Sequence, residues 1–235
     1  MCFLEVKSMG REKRMWKKQI EEDKAGSVGR VKLPREFFTR DGITVAKELL
    51  GKVLVHETSA GIIRGIITEV ESYMGVEDKG SHTYGGRRTE RTEPMFHIGG
   101  TSYVYFTYGM YYCMNITSEK AENPQAVLIR SVIPADEASK ERMLKLRMDV
   151  AVEKARKRKV AKGQELDEKE LQRMQKNTLK HLADGPGKMC IAMGITKADN
   201  DVDMVESSSF YVTEGIKVDA AKIQAGKRIG IDYAQ

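Results

Sequence analysis

Two carboxylates and a phenol occupy alternate positions in the segment Glu69-Val70-Glu71-Ser72-Tyr73. In a β-strand, positions 69, 71 and 73 point to the same face, so their side chains would line one surface. A carboxylate there can orient and deprotonate a water molecule, or stabilise a cationic transition state. The pattern is also typical of an exposed strand face with polar side chains, and the segment alone leaves both interpretations open.

A second group of polar residues lies in residues 74–101, which are rich in Gly, His, Arg and Thr and show no periodicity. We expect a long loop there, and long loops inside compact domains are usually functional. His82 lies among glycines that allow a close approach to a ligand, and Arg87 suits phosphate. The four histidines and three cysteines show no metal-ligand spacing, so we expect no metal site.

Tyrosine is concentrated between Tyr103 and Asn115, which hold five of the nine tyrosines. The dipeptide Tyr108-Gly109 interrupts this β-branched and aromatic run, which predicts a β-hairpin with Gly109 at positive φ. A tyrosine exposed at a hairpin tip can enter a stack of bases. A tyrosine-rich sheet face would explain the same composition.

The apolar pattern predicts a mixed α+β domain that positions these groups. We expect helices over residues 44–50, 135–180 and 189–193, and strands over residues 52–57, 62–70, 101–117 and 126–132 and near 210–212 and 228–231. We expect residues 1–32 to be a basic tail, because they hold too little apolar surface to fold alone. Within this tail we expect one helix around Trp16 and Ile20. The domain proper would span residues 33–235.

Length and composition limit the class of protein. The 235 residues and 26.5 kDa suit one domain with a tail. The composition excludes collagen, a disulfide scaffold and a wholly disordered chain, and no apolar run reaches transmembrane length. Glu5 and Lys7 interrupt the apolar stretch that a signal peptide would need, and the cysteines indicate reduced thiols. We therefore expect a soluble cytosolic protein.

The positive charge is concentrated in one segment. Lys and Arg number 40 against 34 Asp and Glu, a net charge of +6. Residues 140–180 hold fourteen basic and seven acidic residues, a balance of +7, which leaves −1 for the rest of the chain. Such a cluster indicates a polyanionic partner, although a solvated helical excursion would carry the same charges.

In their order along the chain, these segments resemble the 3-methyladenine (alkylpurine) DNA glycosylase family of mammals and many bacteria. The segments that match are residues 34–38, 46–55, 67–73, Asp78, 81–82, 85–89, 100–115, 126–130 and 185–190. The longest match reads GTSYVYFTYGMYYCMN and runs from Gly100 to Asn115. Most of residues 34–200 is covered, and the ordered set is far more specific than any one motif.

The resemblance implies roles for individual positions. Glu71 matches the general base that holds the attacking water, and Arg130 matches the arginine beside that water. Six positions match the pocket that stacks on, edge-binds and selects the flipped base: Tyr73, His82, Tyr105, Asn115, Ala126 and Leu128. Tyr108, with Met110 beside it, matches the side chain that fills the gap in the duplex. Three positions match phosphate contacts: Arg87, Lys188 and Lys197.

The resemblance also implies a fold and an activity. The fold would be a single α+β domain with a curved antiparallel sheet, a protruding β-hairpin and peripheral helices, like the C-terminal domain of formyltransferases. The activity would be base-excision-repair hydrolysis of the N-glycosidic bond of alkylated or deaminated purines, by base flipping, without strand cleavage or a cofactor. The partner would be duplex DNA with damaged purines, bound by a monomer on the nucleoid in the cytoplasm or in the nucleus, with no membrane association.

Two features depart from the family pattern. Family members continue beyond the stretch matched by residues 228–234 into another aromatic strand, whereas this sequence ends at Gln235. A damage-binding protein of the same fold with impaired catalysis is therefore the alternative function. The basic helical excursion, residues 140–183, is longer than the family pattern. A module that binds RNA or single strands through its tyrosines is a more remote alternative.

Overall fold

The structure, a computed structural model, describes residues 5–8, 30–161, 163–228 and 230–231. These residues form a mixed α/β domain with a curled, antiparallel half-barrel sheet of eight strands. The strands are β1 (Glu5–Ser8), β2 (Val53–Thr58), β3 (Gly61–Tyr73), β4 (Ser102–Thr107), β5 (Tyr111–Ser118), β6 (Gln125–Pro134), β7 (Phe210–Thr213) and β8 (Ile223–Gly226). The α-helices are α1 (Arg35–Phe38), α2 (Gly42–Leu49), α3 (Glu137–Val160), α4 (Glu168–Lys180) and α5 (Pro186–Met193).

The long strand β3 organises the sheet because it has neighbours on both edges. One edge pairs with β2 along its first half and with β1 further on, and the other edge pairs with β6. Beyond β6 the sheet continues through β5 to β4, beyond β1 it continues to β8, and β7 pairs with β2. A strand that is covered on both faces must be rich in apolar residues, which explains the Ile and Val of β3.

A β-bulge in β3 sets the direction of its acidic residues. The register against β6 shifts on both sides of Glu69, and a bulge of this kind redirects side chains. Both Glu69 and Glu71 bond Arg130 and therefore share one face. Ser72 points to the other face, where a Cβ on Gly42 of α2 would lie 3.0 Å from its Oγ. Helix α2 thus covers the face of the sheet opposite the two carboxylates.

The main core is formed by the sheet with α2, α3 and α5. The helices contribute buried apolar side chains to it: Val45, Ala46, Leu49, Met143, Met189, Ala192 and Met193. Helix α5 begins with Pro186, whose missing N–H costs nothing at that position, and is capped after Met193 by Gly194 with φ of 71°. Packing of α5 against β5 and β6 holds its N-terminus next to the end of β3.

The predicted elements are present with shifted ends, apart from two corrections. The helix predicted over residues 135–180 is broken into α3 and α4, because Asp167 and Glu170 form a capping box that starts a new helix. The strand predicted near residues 228–231 is wrong for the described residues there, since Gly230 has φ of 78° and Arg228 bonds Asp78. Strand β8 precedes this segment instead.

Several predicted features are confirmed and others fall outside the described residues. The loop at residues 74–101 holds three single turns of 3-10 helix, and the hairpin turns at Tyr108-Gly109 as expected. The helix predicted around Trp16 and Ile20 lies outside the described residues, whereas Glu5–Ser8, within the predicted tail, is strand β1. No helix in the described ranges combines the length and apolar character needed to cross a membrane.

Candidate active site

A cleft of about 420 Å³ opens beside the C-terminal end of β3. Its walls come from β3, the β4–β5 hairpin, β6, the loop after β3 and the first residue of α5. Eight of the thirteen predicted site residues line it: Glu71, Tyr73, His82, Tyr105, Tyr108, Asn115, Leu128 and Arg130. The size is within the range of pockets that enclose a small ligand.

Glu71 lies at the base of this cleft with its side chain 1% exposed. Its Oε1 accepts a hydrogen bond from Arg130 Nη1 at 2.9 Å, and its Oε2 accepts one from the Tyr73 hydroxyl at 3.0 Å. Arg130 also donates from Nε to Glu69 Oε1 at 3.0 Å. A buried carboxylate needs such partners because desolvation of an unpaired charge is costly. The two bonds fix both oxygens of Glu71 in direction.

The ring of Tyr73 is held by a second arginine that the sequence analysis missed. The Arg228 guanidinium lies over this ring, with its central carbon 4.6 Å from the ring centroid. Arg228 is itself fixed by two hydrogen bonds to the Asp78 carboxylate, at 2.6 and 2.7 Å, and by one to Ser72 O at 3.3 Å. Burial and the neighbouring Glu71 raise the pKa of Tyr73 far above its usual value, so the phenol stays protonated.

His82 meets two tyrosines on the other wall of the cleft. Its ring centroid lies 4.6 Å from that of Tyr105, and its Nδ1 is 2.8 Å from the hydroxyl of Tyr103. Partial burial, together with the positive charges of Arg91 and Arg87, lowers the pKa of His82 to about 4. Burial raises the pKa of Tyr103 to about 12. At neutral pH the wall therefore presents an uncharged imidazole and uncharged phenols.

The remaining predicted base-binding residues lie on the adjacent strands. Asn115 is buried and donates from Nδ2 to Tyr103 O at 3.2 Å, while Leu128 pairs across the sheet with both Glu71 and Asn115. Ala126 is fully buried in a cluster with Tyr103 and lies outside the cleft lining. Ala126 therefore supports the wall from behind and does not form its surface.

The tip of the β4–β5 hairpin stands at the mouth of the cleft. Tyr108 is 84% exposed and has φ of 52°, and Gly109 follows with φ of 63°. Met110 N donates to Thr107 O at 3.1 Å and closes the turn. Met110 is also exposed but lies outside the cleft lining. Two successive positive φ angles indicate a type I′ turn, whose twist matches that of the strands.

The three predicted phosphate contacts lie outside the cleft lining and differ in setting. Arg87 is exposed in the loop after β3, and its positive charge is near enough to help lower the pKa of His82. Lys188 lies in the first turn of α5, where its Nζ bonds Asp184 Oδ1 at 2.9 Å. Lys197 is exposed on a short 3-10 helix. The structure thus places Arg87 and Lys188 near the rim and gives Lys197 no described link to it.

The arrangement suits a planar ligand next to a developing positive charge. A paired, buried carboxylate stabilises a cation and aligns water, and flat side chains stack on a flat ligand. Sequence reasoning missed Tyr103, Arg91 and Arg228; Arg91 lies 5.0 Å from the ring centroid of Tyr105. Within the described part of the chain, no group of three or more His, Cys, Asp or Glu could hold a metal ion.

Comparison with known proteins agrees with the motif resemblance. The Methylpurine-DNA glycosylase (MPG) family matches residues 36–235. A Clostridium acetobutylicum protein named "Putative 3-methyladenine DNA glycosylase" is 43% identical over 207 residues, which cover 87% of this chain and 89% of that protein. A protein of the same name from Clostridium perfringens strain 13 is 42% identical, and the match covers 87% of this chain and 90% of that protein. Another, from Desulfitobacterium hafniense strain Y51, is 40% identical, and the match covers 87% of this chain and 89% of that protein. The chain therefore belongs to the methylpurine-DNA glycosylase family.

Proposed function

We propose that this protein is a monofunctional DNA glycosylase of base-excision repair, which hydrolyses the N-glycosidic bond of alkylated purines in double-stranded DNA. Family membership supports the reaction class. The observation that carries the proposal is the position of Glu71. It is a buried carboxylate fixed by Arg130 and Tyr73, and it opens on a cleft walled by His82 and Tyr105. Deaminated purines are a second substrate class for the same cleft.

The depth of Glu71 supports base flipping as part of this proposal. A base in a duplex hides its glycosidic bond, so the nucleotide must leave the stack at a cost of a few kcal/mol. Tyr108 stands exposed at the cleft mouth, where its ring can enter the vacated stack and offset part of this cost. Tyr73, His82 and Tyr105 then bind the extruded purine, with Met110 beside the gap.

Glu71 acts on the sugar once the base is seated. As the base departs, the sugar gains oxocarbenium character, and a nearby anion stabilises that cation. Glu71 also aligns the water that attacks the sugar, with Arg130 holding the carboxylate in place. No lysine lies among the described residues of the cleft lining, so the reaction is hydrolysis without a Schiff base and without strand cleavage.

Selectivity for damaged purines arises in both binding and reaction. The phenol rings attract a cationic, alkylated purine, but each already has an arginine over it, Arg228 on Tyr73 and Arg91 on Tyr105. These guanidinium groups draw on the same ring electrons, which weakens the attraction for a second cation. The better leaving-group character of an alkylated base therefore contributes much of the discrimination. Asn115 and Leu128 shape the pocket edge, with Ala126 behind them.

Finer assignments belong to the same proposal. Arg87, Lys188 and Lys197 bind phosphates, and the protein acts as a monomer wherever the DNA is, on the nucleoid in the cytoplasm or in the nucleus. Residues 33–235, together with strand β1, form the glycosylase domain, and the rest of residues 1–32 forms a basic tail. The curled sheet, exposed hairpin and peripheral helices support an arrangement like the C-terminal domain of formyltransferases.

The test compares two carboxylates that bond the same arginine. Glu71→Gln keeps the shape of the side chain and removes its charge, so we expect release of 3-methyladenine from a defined duplex to slow by about 10²- to 10⁴-fold. Glu69→Gln removes an equal charge outside the cleft lining and should cause a much smaller loss. Single-turnover rates at saturating enzyme give the comparison.

Three results would contradict the proposal. Equal rates for Glu71→Gln and wild type would remove Glu71 from the mechanism. Tight binding to a duplex with an abasic analogue, without any base release by the wild-type protein, would instead identify the damage-binding alternative. Preference for single strands with no response to Glu71→Gln would favour the RNA- or single-strand-binding alternative.

A further inference from the structure

Helix α4 carries a row of four cations along its exposed face. Lys169, Arg173, Lys176 and Lys180 are spaced by four, three and four residues, so they share one side of the helix, and we call this row the basic stripe. All four are exposed, and none forms an ion pair with another described residue. The less exposed Leu171, Met174 and Thr178 lie on the other side, where α4 packs against α3.

No acidic side chain of α4 compensates the stripe. Glu170 belongs to the capping box and bonds Lys159 of α3 at 2.7 Å, so its charge is directed away from the row. Like charges at i and i+4 destabilise a helix. The helix thus bears a repulsion that a polyanion would remove on binding.

The excursion that carries the stripe packs next to the proposed DNA-binding face. Four residues after the C-terminal Lys180, Asp184 accepts hydrogen bonds from His181 and Lys188, and Pro186 lines the cleft. On α3, the Lys154 ammonium lies 4.8 Å from the ring centroid of Tyr111, near the tip of the hairpin. The C-terminal end of the stripe is therefore joined by a few residues to the segment at the cleft rim.

We infer that the basic stripe binds the backbone phosphates of the damaged duplex to one side of the lesion. Eleven residue steps at 1.5 Å give it a length of about 16 Å, which equals the rise of roughly five base pairs at about 3.4 Å each along the duplex axis. Flexible Lys and Arg side chains can follow phosphates without reading sequence. This inference rests on the proposed function and extends the DNA footprint beyond the cleft.

The experiment compares two triple variants that lose the same charge. R173Q/K176Q/K180Q removes three cations of the stripe, and K47Q/K217Q/K222Q removes three cations elsewhere. Lys47 is on α2, which covers the sheet face opposite Glu69 and Glu71, and Lys217 lines the same groove as Lys47. Gln has a helix propensity close to those of Lys and Arg, so α4 should persist, and circular dichroism checks it.

The readout is the salt dependence of binding to duplexes with and without an abasic analogue. Each phosphate contact contributes about 0.9 to the slope of log Kobs against log salt, so the stripe variant should lose up to about 2.7 from the slope. Its affinity should fall to a similar degree for both duplexes, because phosphate contacts carry no lesion information. The control should retain nearly the wild-type slope and the wild-type rate of single-turnover base release at saturating enzyme.

The outcomes separate the stripe from the proposed function. An unchanged slope in the stripe variant, or equal loss in both triple variants, would overturn the assignment of the stripe. Absence of base release by the wild-type protein would overturn the glycosylase function, while the slopes would still decide whether the stripe binds duplex DNA. A loss confined to single-stranded RNA would also overturn the inference.

Discussion

His82 shows how surrounding charge prepares a side chain for a cationic ligand. A protonated imidazole in the cleft would repel an alkylated purine, whereas a neutral one can bond its edge. Partial burial and the arginines at 91 and 87 disfavour protonation, and Tyr103 fixes the direction of Nδ1. Arg87, which is proposed to bind phosphate, thus also helps to keep the histidine neutral.

The first prediction concerns the titration of His82. Its imidazole resonance should titrate with a midpoint at about 4, against about 6.5 for an unfolded chain. The folded protein then binds fewer protons than the unfolded chain in this interval, so the stability due to His82 is complete above pH 6.5 and is lost as pH falls through 4. NMR titration measures the midpoint.

Arg91→Gln is the matching variant for this titration. It removes the second cause of the shift while burial, the first cause, remains, so the midpoint should rise but stay below 6.5. Lys79→Gln removes a charge that is not among the causes and should leave the midpoint unchanged. A wild-type midpoint near 6.5 would show that the cleft does not disfavour the imidazolium.

Among the elements, the β4–β5 hairpin departs most clearly from the residue types that its turn type favours. A type I′ turn favours Asn-Gly, because both central residues have positive φ. This chain has Tyr108 at the first position, with φ of 52°, where a bulky side chain is strained. Such strain tends to persist at functional sites, and here it holds an aromatic ring at the cleft mouth.

The second prediction tests this strain. Tyr108→Asn should raise the free energy of unfolding by about 1 kcal/mol, because Asn tolerates the left-handed region, and it should slow base release because the ring is lost. Denaturant unfolding and single-turnover kinetics measure the two effects. Tyr84→Asn replaces another exposed tyrosine, one without positive φ, and should not stabilise the fold. A destabilised Tyr108→Asn variant would refute the account of the turn.

Sequence patterns predicted elements well where the determining signal is local. The apolar alternation of β3 and β6, the Tyr108-Gly109 turn and the glycine after α5 all act within a few residues. The break between α3 and α4 was missed because the capping box at Asp167 competes with a continuous charged helical pattern. The strand predicted near residue 228 is absent because a distant carboxylate fixes the side chain of Arg228, and Gly230 has positive φ.

For the molecule as a whole, the Asp78–Arg228 pair joins segments 150 positions apart. Asp78 is fully buried and Arg228 nearly so. Asp78 also accepts hydrogen bonds from Met74 N and Gly80 N, so it orders the loop after β3 as well. Local spacing gives no indication of such a pair. This explains why Glu71 and Tyr73 were predicted as one motif, while the arginine that holds Tyr73 was not.

The third prediction measures this pair. Asp78→Ala should lower the free energy of unfolding by about 3 to 5 kcal/mol, because it removes the carboxylate that accepts two hydrogen bonds from a buried guanidinium. Glu48→Ala breaks the exposed pair with Arg40 and should cost at most about 1 kcal/mol. Denaturant unfolding of both variants gives the comparison. Similar losses in the free energy of unfolding would show that the buried Asp78–Arg228 pair stabilises the fold no more than an exposed pair does.

The Asp78–Arg228 pair has a consequence for biosynthesis. Translation delivers the N-terminal part of a domain first, so Asp78 emerges from the ribosome long before its counter-charge does. Until then the aromatic ring at position 73 lacks its cationic support, and the nascent chain cannot complete the cleft. Prematurely terminated products would consequently fail to act on chromosomal purines.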